Sequence, residues 1–351
     1  MKRLLALLYL GLLLSVSINA EAVQYQIVDL GICLYPNGIN SSGDIVGSNG
    51  TQHAFILRGG ILQDLGTLGG TDSTGFSINN NRDVVGSSYT TDGTNRAFLW
   101  RDGVMQDLGT LGGSISSASD INDNGDVVGG SYLSTGNMHA FLWQNGVMQD
   151  IGALGGTDSH ATGINNNGQV VGSLYTAAGA WHAFLWQDDV MHDLGTLDGN
   201  WYSLAAEIND NGQTVGHAQT SNGNHHAFLW ENGVMQDLGT LGGGYSVAYD
   251  INNYGVVVGI SDVIVEGAAV SQHAFVWTEG VMQDLGTLDG DVVSEAYGIN
   301  DLGQIVGVSG NYNDFHAVLW VPVPEPSSVF VLVCGAGSLV CALLHGRRYP
   351  I

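Results

Sequence analysis

Histidine and aspartate recur along this 351-residue chain at a near-constant spacing. A His-Ala-Phe or His-Ala-Val triplet opens at His53, His139, His182, His226, His273 and His316, and Arg96 opens a variant copy. Asp-Leu-Gly or Asp-Ile-Gly opens at Asp29, Asp64, Asp107, Asp150, Asp193, Asp237 and Asp284. Such residues invite an active-site reading, but repetition argues against it. A catalytic constellation is needed once, whereas a bond that holds a hairpin is needed in every copy, and buried polar groups need partners. The expectation is a structural His or Asp in each hairpin. A second candidate is the turn Asp120-Ile-Asn122-Asp123-Asn124-Gly125-Asp126, with alternating oxygens like the start of a calcium loop. Glu207-Ile-Asn209-Asp210-Asn211-Gly212 is a weaker version, and Gly38, Ser77, Gly163 and Gly298 stand where the leading acid would be. No Glu occupies the twelfth position, and an ordinary Asn-Gly turn explains the same pattern. No cofactor is expected, calcium being the one ion this pattern could take.

Residues that break the repeat are more informative. Trp181 precedes His182, in the loop between second and third strands of its unit; Trp201 and Tyr202 sit between fourth and first strands. In an up-and-down unit these loop types emerge on one face. The three aromatics are therefore expected on adjacent connections of one rim, where exposed rings stack on sugars or partner proteins; filling gaps between loops is the plainer alternative. The non-repeated acids Glu207, Asp291 and Glu295 are the candidates for the facing carboxylates that a carbohydrate-active enzyme would need. No Ser/His/Asp order or metal motif stands out.

The elements that position these residues follow from the period. Successive triplets start 43, 43, 43, 44, 47 and 43 residues apart. Between them runs Ile-Asn-x-x-Gly-x-x-Val-Gly or a close variant, from Ile39, Ile78, Ile121, Ile164, Ile208, Ile251 and Ile299, with Arg82 replacing Gly in the second copy. One unit reads as four short strands: Ala248–Asn252, Val256–Gly259, His273–Trp277 and Val281–Leu285. Asp102-Gly103, Asn145-Gly146 and Asn232-Gly233 supply positive φ for tight hairpin turns. No stretch of the repeat shows helical periodicity. Four strands in roughly 40–45 residues is the period of a propeller blade.

The array begins with a lone fourth strand, Tyr25–Leu30, and ends with a lone third strand, His316–Trp320. Pairing them completes seven four-stranded blades and removes the exposed edges. The fold expected is all-β: a seven-bladed β-propeller of ~43-residue repeats over residues 23–321, closed by the N-terminal strand. Another all-β stack is the alternative. The first strand of each blade should line the axis with small residues, Ala118, Ala161, Ala205, Ala248 and Ala296.

Both ends differ from the repeat. Residues 1–22 read as a secretory signal: Lys2 and Arg3, the apolar run Leu4–Val16, and Ala20-Glu21-Ala22 as cleavage site. An uncleaved anchor is the alternative. Residues 322–351 carry Pro322–Pro326, an apolar helix over 329–344 of transmembrane length, and Arg347-Arg348, which would keep that end cytoplasmic. The net charge is −25, and Lys2 is the only lysine. That excludes a nucleic acid partner, since backbone binding needs a basic surface. Of the three cysteines, Cys334 and Cys341 lie in the terminal segment and Cys33 stands alone, so neither a disulfide framework nor a zinc site holds the repeats.

Pro324-Glu325-Pro326, an apolar helix and the pair Arg347-Arg348 resemble the PEP-CTERM sorting signal of Gram-negative bacteria. The His-Ala-Phe units resemble the HAF family of extracellular repeats. The resemblance implies export across the inner membrane, transient anchoring by the C-terminal helix, and recognition by an exosortase-type sorting protease. It further implies release or attachment at the cell surface or matrix, often alongside exopolysaccharide. Neither family implies catalysis. The function expected is a non-catalytic surface or matrix protein that binds glycan or protein through one propeller face, with an extracellular carbohydrate-active enzyme and a purely structural matrix spacer as alternatives.

Overall fold

The computed structural model of the chain describes residues 23–32, 34–199, 201–264, 270–311 and 314–323. Residues 1–22, expected to be a secretory signal, and residues 324–351, where the PEP motif Pro324–Pro326, a helix over 329–344 and the pair Arg347-Arg348 are expected, lie outside the described residues. Among the described residues no helix is long and apolar enough to cross a membrane.

The fold is all-β, built of repeated four-stranded antiparallel sheets, and propeller-like. Sheets I to VI occupy residues 34–64, 69–107, 112–152, 158–195, 203–237 and 242–284. Sheet VII takes three strands from 293–322 and its fourth, Tyr25–Ile32, from the other end of the array. That strand pairs antiparallel with Asp314–Pro322, Val28 opposite Leu319. The sequence reading of a spare N-terminal strand filling the last unit holds.

Three features of the repeat explain its geometry. The outer hairpins turn on two residues with positive φ: Asp102 (51°) and Gly103 (84°), Asn145 (51°) and Gly146 (84°), Asn232 (52°) and Gly233 (84°), Glu279 (49°) and Gly280 (88°). Those angles match the twist of the flanking strands. The Gly that ends each Val-Gly signature permits close approach within its sheet. A Cβ at Gly86, Gly129 or Gly172 would lie 1.9–2.1 Å from a carbonyl oxygen of the paired inner strand. Each inner strand also carries a bulge, as between Ala118 and Asp120 or Ala205 and Glu207. A bulge inserts one extra residue and re-aims its neighbours.

This bulge corrects one expectation. Ala118, Ala161, Ala205, Ala248 and Ala296 do not face the axis; they are 0–3% exposed and pack between neighbouring sheets. Ala118 sits with Val85, Leu99 and Phe141, and Ala161 with Val128, Leu142 and Phe184. The axis receives the residues that follow, such as Ser119 with Asp120 and Ala206 with Glu207, because the bulge turns two consecutive side chains inward.

Polar clasps join the sheets. Asn40, Asn79, Asn122, Asn165, Asn209, Asn252 and Asn300 each donate Nδ2 to the backbone carbonyl of the corresponding Asn in the next sheet, at 2.9–3.2 Å. The last of these bonds, Asn300 to Asn40, spans 260 residues and returns the series to its start. Each Oδ1 meanwhile caps its own turn; that of Asn165 accepts the N–H groups of Asn167 and Gln169. A second clasp is a buried serine near the start of the inner strand. The Ser73 hydroxyl accepts Ala54 N–H and donates to the Gly66 carbonyl of the preceding sheet. Ser116, Ser159, Ser203, Ser246 and Ser294 repeat it. Leu34 takes this place in sheet I, and the seam with sheet VII is apolar instead, with Leu30, Leu34, Phe55, Val306 and Leu319 in one cluster.

Candidate functional site

The repeated histidines and aspartates meet within their own sheets. Nδ1 of His53, His139, His182, His226 and His273 lies 2.8–3.1 Å from a carboxylate oxygen of Asp64, Asp150, Asp193, Asp237 and Asp284. His316 pairs with Asp29 at 3.0 Å, across the joint between the two ends of the array. Each Asp also accepts the N–H of the glycine two residues on, as Asp64 does from Gly66. One carboxylate thus fixes both a turn and a neighbouring strand. Arg96 breaks the series and donates to the Thr94 hydroxyl instead.

The turns that look like calcium loops are closed by their own bonds. Oδ1 of Asn122 accepts from Asn124 and Asp126 N–H. Asp120 turns away from its loop, accepting the Ser77 hydroxyl on one side and Ile164 N–H on the other. Among the described residues no group of three or more His, Cys, Asp or Glu is arranged to hold a metal ion.

An axial cavity of about 580 Å³ is lined by the inner strands and by the turns after them. Asp120, Glu207 and Asp250 occupy equivalent positions there, where sheets I, IV and VII have Gly38, Gly163 and Gly298. Glu207 folds back into the space that the glycine leaves: a Cβ at Gly163 would sit 2.4 Å from its Oε1. Burial pushes the Glu207 carboxyl well up, and the nearby Asp120 and Asp250 push it further. Burial also raises Asp120, and it carries Asp250 up to about 7 against the N–H bonds from Ile299 and Ile251. Glu295 and Asp291, which the sequence grouped with Glu207, do not line this cavity. Glu295 accepts the Tyr297 hydroxyl, and Asp291 accepts from Ser309 and Asn311 in another cleft.

The repeat-breaking aromatics come together across three sheets. Trp201 is 62% exposed and meets Tyr202 edge-on, ring centroids 6.4 Å apart. Trp181, at the start of the third strand of sheet IV, bridges Tyr202 through the backbone and packs its ring on Tyr175 at 5.5 Å. Tyr202 continues to His225 at 5.0 Å and His217 at 5.7 Å, and His225 reaches Tyr245 of sheet VI at 6.5 Å. A single parallel backbone pair, His225 with Tyr245, ties sheets V and VI at this point. Burial holds the His217 imidazole down to about 4, helped by His225, so it is neutral near pH 7. Sequence reasoning found Trp181, Trp201 and Tyr202 but missed His217, His225 and Tyr245. A signal existed: His217 stands where other sheets have Ser, Gly, Ile or Val, and His225 doubles the repeated His226.

No family model matches the chain, and no curated protein does. Solved structures do. A puromycin hydrolase S511A mutant complexed with PGG superposes with TM-score 0.52 at 11% identity, covering 82% of this chain and 52% of that one. A puromycin-hydrolyzing peptidase from Mycobacterium tuberculosis gives 0.50 at 13% identity, covering 76% and 47%. The chain spans about half the length of these two structures. The β-propeller domain of the Trilobed protease from Pyrococcus furiosus gives 0.49 at 8% identity, covering 82% and 95%. At these identities the likeness to the two hydrolases shows the fold alone, an array of four-stranded antiparallel sheets of propeller type.

Proposed function

We propose that this chain is an exported, non-catalytic surface or matrix protein: a closed seven-bladed β-propeller that binds glycan on the face carrying Trp201. One observation carries the binding reading. Trp201, the most exposed tryptophan, meets Tyr202 edge-on, and Tyr202 continues the aromatic row to His225 and Tyr245. An exposed indole at the end of an aromatic row presents an apolar plane, which suits the C–H face of a pyranose. The sheet VII pairing and the return of the asparagine series to Asn40 support closure of the ring. Export and surface delivery rest on the resemblance of residues 322–351 to the PEP-CTERM signal. They imply an exosortase-type protease as processing partner, a spanning helix over 329–344 before processing, and exopolysaccharide or surface proteins as neighbours.

The test is a polysaccharide pull-down comparing the wild-type chain with Trp201→Ala and Trp181→Ala. Binding lost in Trp201→Ala, with circular dichroism unchanged, is the expected result. Binding to no glycan, with retained capture of a surface protein through the same tryptophan, would replace glycan by protein. Binding indifferent to both tryptophans would end the reading.

A further inference from the structure

We infer that the glycan held on the Trp201 face carries amines, and that a glucosamine polymer is the chemistry this face fits. This rests on the glycan-binding reading above and adds the charge of the ligand to it. The first observation is an absence of cations that the sequence makes plain: no Lys or Arg stands between Arg101 and Arg347. Every strand of sheets III to VI lies within that interval, so the aromatic face is built from a stretch with no fixed positive charge. The four described arginines, Arg58, Arg82, Arg96 and Arg101, all stand in sheets I and II, where Arg82 donates to Asp44 at 2.8 Å and Arg101 grips Asp83 at 2.6 and 2.8 Å. A uronate or sulfated glycan laid on Trp201 would meet carboxylates and no counter-charge, which costs binding.

The second observation is where the carboxylates stand. Asp198 lies three residues before Trp201 in the same connection, exposed, with φ of 57°. Its Oδ2 accepts a long bond, 3.3 Å, from Ser221 N–H. On the sheet VI side stands Asp262, bonded to the Gln272 amide at 3.2 Å. Burial raises the Tyr245 hydroxyl, and Asp262 and then Glu295 raise it further. The His217 imidazole does not offset these carboxylates, since burial beside His225 holds it neutral. An aromatic row with Asp198 in the connection at its Trp201 end and Asp262 near Tyr245 at the other complements a sugar chain bearing ammonium groups, through stacking, cation–π attraction and charge-assisted hydrogen bonds.

The experiment measures binding of three matched hexamers to the full chain in nonionic detergent: glucosamine, N-acetylglucosamine and galacturonate. It is run at about pH 6, where glucosamine amines carry charge, and about 0.15 M salt, which screens the bulk acidity of the protein. The expected result is glucosamine binding roughly tenfold or more tighter than N-acetylglucosamine, with galacturonate bound weakest. Trp201→Ala abolishes it, and Asp198→Asn brings glucosamine down to the N-acetylglucosamine level. Equal affinity for the two glucosamine forms, still dependent on Trp201, would overturn the amine inference and leave the glycan face standing; so would a preference for galacturonate. Glucosamine binding that survives Trp201→Ala unchanged would mark simple attraction to an acidic protein and overturn the inference. No Trp201-dependent binding of any hexamer would remove the glycan reading itself.

Discussion

Thr214 is the core residue whose replacement should most clearly improve this protein. It is fully buried, and its Oγ1 has no hydrogen-bond partner. The same position in other sheets holds Ile45, Val84, Val127, Val170, Val257 and Ile305, all 0–3% exposed. A hydroxyl buried without a partner costs roughly 1–3 kcal/mol, and valine has nearly the same shape. Thr214→Val should therefore stabilise the fold by about 1–3 kcal/mol. In a domain of this size each kcal/mol moves the melting temperature by roughly 2 °C, so a rise of about 2–6 °C is expected. Calorimetry with a urea titration measures both quantities. The reciprocal change Val257→Thr, one sheet further on, should cost a similar amount. Should Thr214→Val leave the midpoint unchanged while Val257→Thr lowers it, the Thr214 hydroxyl is satisfied and the reasoning fails.

Other expectations follow from the same geometry. Asn165→Ala removes the donor to the Asn209 carbonyl and the acceptor for two N–H groups, all in the buried inter-sheet series, and should cost about 3–6 kcal/mol by urea denaturation. The exposed Asn166→Ala should cost under about 1 kcal/mol. Asp189 holds φ of 61° in a hairpin where its counterparts are Gly60, Gly103, Gly146 and Gly233; Asp189→Gly should raise the melting midpoint by the equivalent of about 0.5–1 kcal/mol. Two groups should shape stability against pH in opposite senses. Asp250 has its folded pKa raised to about 7, so its contribution is complete below about pH 4 and is lost as pH rises towards 7. His217 is depressed to about 4, so its contribution is complete above about pH 6.5 and is lost as pH falls through 4. In urea midpoints taken across pH 4–8, the advantage of Asp250→Asn over wild type should grow with rising pH, and that of His217→Phe with falling pH.

Much of this architecture was legible because a repeat states its own rules seven times. The hairpin turns could be read from Asn-Gly and Asp-Gly, and the missing and spare strands from Tyr25–Leu30 and His316–Trp320, because local turn chemistry and strand count decide both. The His and Asp series was legible as structural, though its partnering within each sheet needed the register. What stayed hidden depends on one extra residue. The bulge before Asp120, Glu207 and Asp250 turns consecutive side chains to the axis, and alternation alone would have placed only one of each pair there. Asp120 and Glu207 therefore looked like parts of calcium-type turns when they line the cavity. The aromatic rim was half visible. Trp201 and Tyr202 broke the pattern conspicuously, but His217 and Tyr245 join through packing between sheets, which spacing along one chain does not encode.

The closed ring is tested most directly by native-state hydrogen exchange over Tyr25–Ile32. If this strand closes sheet VII through its ladder with Asp314–Pro322 and the His316–Asp29 pair, its ladder amides must open only with their partner strand. A closed ring gives ladder amides in Tyr25–Ile32 protection comparable to those of Asp314–Pro322, and loses both in one cooperative step as urea is raised. Exchange of Tyr25–Ile32 within seconds, while Asp314–Pro322 stays protected, would show a frayed end and an open array, and would contradict it.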